Sequence, residues 1–322
     1  IMPHSMESLP VLDLAVFRRD AVCFALLTKD NLIVGMGLFW GLLCGFAFGC
    51  GDLLTRLGVR NGTPFTGAII NSGTTLIFFA VIVLVEGVQA GALWPAMGWF
   101  LLTGVVAIGP GRLLFYYSIR RIGVSRASVL VIITPLISML TAVALLGERP
   151  SWRVVLGAVI IVGGLLSVVT DRGGILIDSR AALLGLLPTL FLSLTPFFIR
   201  LGMQSLPDPS LGTLLSSVGA LTLLLMLQKA VPREDRWGAD RHGFLKFLGA
   251  GVCYSIAFYA YHAALGSEIV SFVASLAFTS PLFAILIARL LFQRLEQITW
   301  RLAVGGAVVF IGVVLISISK GG

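Results

Sequence analysis

The stretch from Thr134 to Gly164, TPLISMLTAVALLGERPSWRVVLGAVIIVGG, occurs twice in this chain. Its second copy, from Ser280 to Gly312, reads SPLFAILIARLLFQRLEQITWRLAVGGAVVFIG. Each copy opens an apolar run with a hydroxyl residue, Pro and Leu, and follows that run with Glu148 or Glu296. Ser151-Trp152-Arg153 or Thr299-Trp300-Arg301 comes next, then Gly157 or Gly305. The copies lie 148 residues apart at the Glu and 146 at the Pro. Repetition on that scale means two homologous halves, and it constrains every later reading.

Each half must then be a membrane unit. Of the 322 residues, 57% are hydrophobic and 12% are charged, about half the charge of an ordinary globular chain. The chain breaks into apolar runs of about 20 residues, enough to cross a bilayer as helices. The fold expected is an all-α polytopic membrane protein with ten transmembrane helices. The spans fall at 32–55, 64–86, 96–118, 125–147 and 152–170, then at 181–201, 210–228, 244–265, 269–292 and 298–318. Residues 32–171 form the first half, 172–180 a polar linker containing Gly173-Gly174, and 181–320 the second half. Five spans per half is odd, so the second half enters from the opposite side: two inverted five-helix repeats, with a solute expected near midplane between them. Residues 1–31 read as a tail, disordered or an artefact of the start site, since the chain opens on Ile1 and Met36 offers another beginning. Arg18-Arg19 ahead of Ala21–Leu27 imitates a signal peptide only loosely.

Charge gives an orientation. Fourteen Lys and Arg lie at loops opposite the N-terminus, from Arg56 to Arg301, against seven on the N-terminal side, three of those in the tail. The positive-inside rule then puts both termini outside. The net charge of +8 is explained by these loops, and nucleic acid is not expected as a partner. The loop from Lys229 to Lys246 is the densest and could touch anionic lipid.

Several chemistries are excluded. Cys23, Cys44, Cys50 and Cys253 make no CxxC pair, and His4, His242 and His262 are scattered, so no metal or cofactor is expected. No phosphate-cradling Gly loop is present. Gly49-Cys50-Gly51-Asp52 has the GxGD form of intramembrane aspartyl proteases, but that chemistry needs a second carboxylate, and every other Asp lies outside span interiors.

Ionisable groups inside spans are expensive in lipid and become functional candidates. Asp52 and Arg112 are the clearest. Arg112 could receive a carboxylate or phosphate of a solute, with Asp52 as its resting partner; the alternative is a structural ion pair. Arg289 lies close to a span end and snorkels. Pro135 and Pro281 read as equivalent mid-span kinks or hinges, with Thr134 and Ser280 beside them as small polar contacts. Tyr254, Tyr259, Tyr261 and His262 on span eight, and Tyr116 and Tyr117 on span three, suit either a cavity or the interface; the 146-residue offset makes Tyr116 and His262 counterparts. Trp40 and Asn71 lie deeper and join the solute-binding candidates. Glu148 and Glu296, followed by Trp152 and Trp300 and then Gly157 and Gly305, read as structural: a turn between two helices, capped by Ser151 or Thr299 and anchored at the interface.

The duplicated ten-span plan resembles the EamA family of the drug/metabolite transporter superfamily over residues 34–319. The residues that carry the likeness are Trp40-Gly41, Pro135, Leu146-Gly147-Glu148 and Gly157 in the first half, and Pro281, Glu296 and Gly305 in the second. The resemblance implies ten helices, a bacterial inner (cytoplasmic) membrane and movement of small metabolites, often outward. It also implies cytoplasmic termini, against the charge count, and a basic loop between spans two and three, where Gly87–Pro95 has no Lys or Arg. The superfamily's small multidrug resistance members use a Glu in their first span; this chain has none there, so that proton coupling does not carry over. The function expected is a secondary transporter of a small organic metabolite, amino acid-like or similar, working by alternating access. Its partners are the solute and the lipid bilayer, with a homodimer left open. A lipid-acting membrane enzyme and a non-transporting scaffold are the alternatives.

Overall fold

A computed structural model describes the backbone of residues 14–87, 93–122, 130–169, 179–291 and 300–318. It is helical almost throughout. In the first half α1 spans Leu14–Val59 and α2 Pro64–Glu86, and α3 (Leu93–Leu102) continues through a π-helix (Thr103–Ile108) into α4 (Gly109–Ile122). Next come α5 (Thr134–Leu146) and α6 (Trp152–Val169). The second half holds α7 (Ser179–Ser193), α8 (Thr195–Ser205), α9 (Pro209–Leu227), the short α10 (Arg233–Arg236) and α11 (Arg241–Ser267). It ends with α12 (Val270–Ala277), α13 (Ser280–Leu291) and α14 (Trp300–Ile318). Among the described residues, seven helical stretches are long and apolar enough to cross a membrane, and Thr134–Leu146, Trp152–Ser167 and Val304–Ile318 are shorter apolar helices. The chain is a multi-pass membrane protein.

Local chemistry explains where the helices begin. Thr63 caps α2, its hydroxyl accepting the Thr66 N–H at 3.2 Å, and Asp208 caps α9, accepting the Leu211 N–H at 3.0 Å. Each cap is followed by a proline, whose missing N–H costs nothing in a first turn. The expected start at Leu32 falls inside α1, which is helical from Leu14. No proline interrupts the chain between Pro10 and Pro64.

Pro135 and Pro281, read as mid-span kinks or hinges, stand at breaks in their spans. Each lies in the first turn of a new helix, α5 or α13, after a break in the span. Proline is tolerated there because no i−4 carbonyl waits for its N–H. Span six breaks in the same way at Thr195-Pro196, between α7 and α8. The loosened carbonyls find partners: Ser138 of α5 donates to the Ser193 carbonyl at 3.1 Å, and Thr189 of α7 to that of Leu130 at 3.0 Å.

Packing comes in matched sets. α2 lies on α9 and α6 on α14; α1 lies on α11 as α7 and α8 lie on α4 and α3. The ring of Phe247 fills the space over Gly58 and Gly67, where an added Cβ would stand 2.6 Å from it. In the other half, the ring of Phe100 covers Gly202 and Gly212. A Cβ on Gly157 would lie 2.8 Å from the Gly312 carbonyl oxygen, one on Gly312 2.8 Å from that of Gly157, and one on Gly164 2.9 Å from that of Gly305. The contact order reverses, so α6 and α14 run antiparallel with their backbones touching. Small residues permit that approach, which lipid otherwise gives helices little reason to make.

The π-helix marks a difference between the halves. At its start, Gly104 packs on α9 as Gly251, 147 residues later, packs on Thr74 of α2. Beyond it, Tyr116 reaches Asn71 at 2.9 Å and His262, 146 residues later, approaches Ser216 at 3.5 Å. The first half therefore carries one extra residue across that turn, absorbed by the bond from the Gly109 N–H to the Gly104 carbonyl.

Replacing Gly312 with Leu should force α6 and α14 apart and cost about 1–3 kcal/mol, as overpacking does elsewhere. A lowered melting temperature of the detergent-solubilised protein is the expected readout, with Gly163→Leu, where an added Cβ meets nothing within 4 Å, as the control.

Candidate functional site

A cavity lies where the two halves meet, enclosing about 840 Å³ of space between atoms out to its mouth. Its walls come from α1, α4 and residues 131–132 of the first half, and from α7, α8, α11, α12 and α13 of the second. Along α1 it reaches from Phe48 to Arg56, about 12 Å at the helical rise. Most of the lining is apolar; the charged groups on it are Asp52, Arg56 and Arg112.

Arg112 is held by aromatic faces. Its guanidinium carbon stands 3.6 Å from the centre of the Tyr254 ring, 4.9 Å from Phe258 and 5.4 Å from Phe48. One terminal nitrogen donates to the Tyr116 hydroxyl at 3.3 Å, while Nε is buried without a hydrogen-bond partner. Such cation–π contacts are worth about 2 kcal/mol when desolvated. Asp52 Oδ1 accepts the Tyr254 hydroxyl at 2.8 Å. The expected Asp52–Arg112 ion pair is therefore not made directly. Tyr254 stands between them, its hydroxyl serving the carboxylate and its face the guanidinium, so each charge keeps capacity for a further ligand. No second carboxylate lines the cavity among the described residues.

The structure gathers some candidates and separates others. Asp52, Arg112, Tyr116, Ser280 and Pro281 share the cavity wall. Thr134 and Pro135 are buried off it. Asn71 holds Tyr116 from behind and lines a second, smaller chamber. His262 is fully buried and lines neither, but it backs the smaller chamber, donating from Nδ1 to the Phe258 carbonyl at 2.8 Å and lying 3.3 Å from the Thr213 hydroxyl. Trp40 and Tyr259 form an edge-to-face pair with ring centres 5.7 Å apart, and Tyr259 stacks on Phe79 at 5.9 Å. Neither lines the cavity or the smaller chamber. The sequence reading missed Phe48, Phe258 and Thr195 as wall residues; the Thr195-Pro196 dipeptide, the same as Thr134-Pro135, was the available signal for the last.

The Glu148 turn is tied further than its own neighbours. Gly147 ends α5 in the left-handed region at φ 65°, a conformation that favours glycine. The Glu148 carboxylate then accepts the N–H groups of Val270 at 2.7 Å and Ser271 at 3.2 Å, and the Ser271 hydroxyl at 2.9 Å. It thus caps α12 in the other half, where a carboxylate meets the positive helix end. Ser151 accepts the Val154 N–H at 3.4 Å at the start of α6, and Trp152 beside it is exposed. Gly157 and Gly305 serve the α6–α14 contact described above. Glu296 and the side chain of Trp300 lie outside the described residues.

An all-helical membrane chain with a largely apolar cavity between duplicated halves, and a few charges on its wall, has the architecture of a solute carrier. A profile of the EamA-like transporter family matches residues 35–170 and 179–318, and the chain belongs to that family. Among curated proteins it is similar to the Uncharacterized transporter YxxF of Bacillus subtilis (strain 168), at 26% identity over 151 residues, 46% of this chain. The match spans about half the length of that relative, 47%. A protein of known crystal structure superposes with a TM-score of 0.71 at 16% identity, covering 91% of this chain and 98% of its own. At that identity the likeness speaks for the fold.

Replacing Glu148 with Ala should cost about 0.5–2 kcal/mol, the usual range for a lost N-terminal cap. Thermal unfolding in detergent would register it, with Glu148→Gln, which keeps an acceptor, recovering part of the loss.

Proposed function

We propose that this protein is a secondary transporter that moves a small organic metabolite, amino acid-like or similar, outward across the bacterial cytoplasmic membrane by alternating access. The observation that carries the reading is the pairing of Arg112 and Asp52 on one cavity wall between the halves, each held by Tyr254 and without a direct ion pair between them. A carboxylate or phosphate on the solute would meet Arg112; a donor on the solute would meet Asp52. The apolar walls, Phe48 and Phe258 among them, would take the remainder.

The same proposal assigns ten crossings: the seven long spans together with the three shorter apolar helices. It groups them as two inverted five-helix repeats, residues 32–171 and 181–320, joined by 172–180. Two features support this. The packing is reciprocal between halves, and α6 and α14 cross antiparallel through glycines at equivalent positions, as helices related by an axis in the membrane plane must. Rocking of one repeat against the other would turn on the broken spans at Thr134-Pro135, Thr195-Pro196 and Ser280-Pro281. The loop charges favour a cytoplasmic Arg56 end of the cavity, the side from which an exporter loads, with both termini outside.

Reconstituted vesicles challenged with a metabolite panel test the function. Arg112→Gln should lower flux of anionic and zwitterionic solutes roughly 10- to 100-fold, the equivalent of a lost charge-assisted hydrogen bond, and leave the fold intact. A panel in which no solute moves would overturn the transporter reading; unchanged flux in the variant would remove Arg112 from the site. A reporter fused after Gly322 tests orientation, with a cytoplasmic signal contradicting the charge count.

A further inference from the structure

α12, the first piece of the broken span nine, is buried along all of its eight residues. It belongs to the second half but is wedged into the first, against α1, α5 and α6. The register along α1 sets its depth. Leu276 packs on Gly41, where an added Cβ would stand 2.8 Å from its side chain, and the Leu276 carbonyl oxygen lies 2.9 Å from the place of a Cβ on Gly45. The cavity begins where this contact ends. It takes the stretch of α1 from Phe48 to Arg56, and Ala277 and Phe278 at the foot of α12 are part of its wall. The other end of α12 is the one that meets Glu148. α12 therefore stands end-on over the cavity, with about 10 Å of helix between the cavity and the Glu148 turn.

Two features make this plug releasable. Its outer end is held by a single side chain of the opposite half: the Glu148 carboxylate takes the Val270 N–H, the Ser271 N–H and the Ser271 hydroxyl, three bonds in all. Glu148 is only half-buried, so water can replace each bond when the carboxylate withdraws, and release costs far less than leaving the groups unmet. Its inner end is detached from α13. The helix stops at Phe278, and the Thr279 hydroxyl donates to the Leu276 carbonyl at 2.7 Å, so a tilt of α12 need not carry α13 with it. The direction of the carboxylate is set from its own side, by Gly147 in the left-handed region and the Glu148 N–H on the Ala142 carbonyl at 3.3 Å.

We propose that α12 is the gate on the Glu148 face of the membrane and that Glu148 is its latch. Passage of a solute across that face requires the three bonds to break; their return shuts the cavity before it opens at the Arg56 face, the order that alternating access demands. Glu148 thus acts on transport through α12 and does not touch the solute. The inference rests on the transporter reading above and adds to it the part that moves.

Sided thiol labelling tests it on the full chain in vesicles. Val131→Cys, a change of similar size on the cavity wall, is the reporter, and Leu192→Cys is a second. Right-side-out and inside-out vesicles are treated with membrane-impermeant 2-sulfonatoethyl methanethiosulfonate, and peptide mapping separates the reporter from the native cysteines. With Glu148 in place, the reporter should react faster from the Arg56 face than from the Glu148 face. Adding Glu148→Ala should raise the rate from the Glu148 face at least about fivefold, the population shift that a lost helix cap gives, with no rise from the Arg56 face. Glu148→Gln, which keeps an acceptor, should fall between, and it stands in for the alanine variant should that fail to fold. Ser151→Ala, which removes the α6 cap at the same turn, should leave both rates as they were. An unchanged rate from the Glu148 face would overturn the gate. So would a rise from both faces, or an equal effect of Ser151→Ala; each marks Glu148 as a structural cap alone and leaves the transporter reading standing. Reporters inert from both faces at both positions would overturn the cavity itself, and the gate and transporter readings with it.

Discussion

Helices in lipid gain little from hiding apolar surface, because the tails are as apolar as the side chains. What holds this molecule together is therefore contact quality, and glycine supplies it. Phe247 packs onto Gly58 and Gly67, Phe100 onto Gly202 and Gly212, and α6 touches α14 backbone to backbone at Gly157–Gly312 and Gly164–Gly305. Each contact needs the absence of a Cβ, so stability and close approach come from the same choice of residue. With these helices fixed, the elements around the cavity can be broken and re-aimed without the bundle coming apart.

Breaks in a membrane helix are tolerated only where the loosened carbonyls meet a partner or line a cavity. Both solutions are present. Ser138 and Thr189 each serve a carbonyl across the α5–α7 contact, and the break before Ser280 and Pro281 opens directly onto the cavity. The charges follow the same rule. Asp52 and Arg112 sit in an apolar surround, and one tyrosine satisfies part of each from its hydroxyl and its face. A direct ion pair would have been the simpler arrangement, but a mutually neutralised pair has little left to offer a solute.

The membrane character, the two halves and most spans were legible from the apolar runs and the repeated Pro–Glu–Trp-Arg pattern, because bilayer thickness sets helix length directly. Asp52 and Arg112 were legible as expensive charges. What sequence could not supply was azimuth, the direction a side chain faces around its helix. Trp40 and Tyr259 sit at cavity depth in sequence terms, yet they meet edge to face and Tyr259 stacks on Phe79. Thr134 and Ser280 hold equivalent places in the repeat, but only Ser280 lies on the wall. The Glu148 carboxylate was readable as structural; its target, 122 residues away at Val270, was not, since capping across a bundle leaves no local spacing. The one-residue turn at Thr103–Ile108 was hidden as well, because a π-helix has no residue signature of its own.

That turn has a consequence for how duplicated proteins diverge. One added residue rotates everything beyond it by roughly 100° relative to a helix kept in phase, unless a π-turn absorbs the excess. Here the slack is taken up between Gly104 and Gly109, upstream of Arg112 and Tyr116. The bundle-facing stripe before the turn is preserved, and so is the register of Tyr116 on Asn71 after it. The insertion thus works like a phase adjuster in a gear train: the teeth still mesh at both ends, while the surface between them is released from its twin. A symmetric ancestor would have repeated every charge at its centre. This chain has Arg112 opposite Phe258, its counterpart by the 146-residue offset, and can present one polar and one apolar face to a single asymmetric guest.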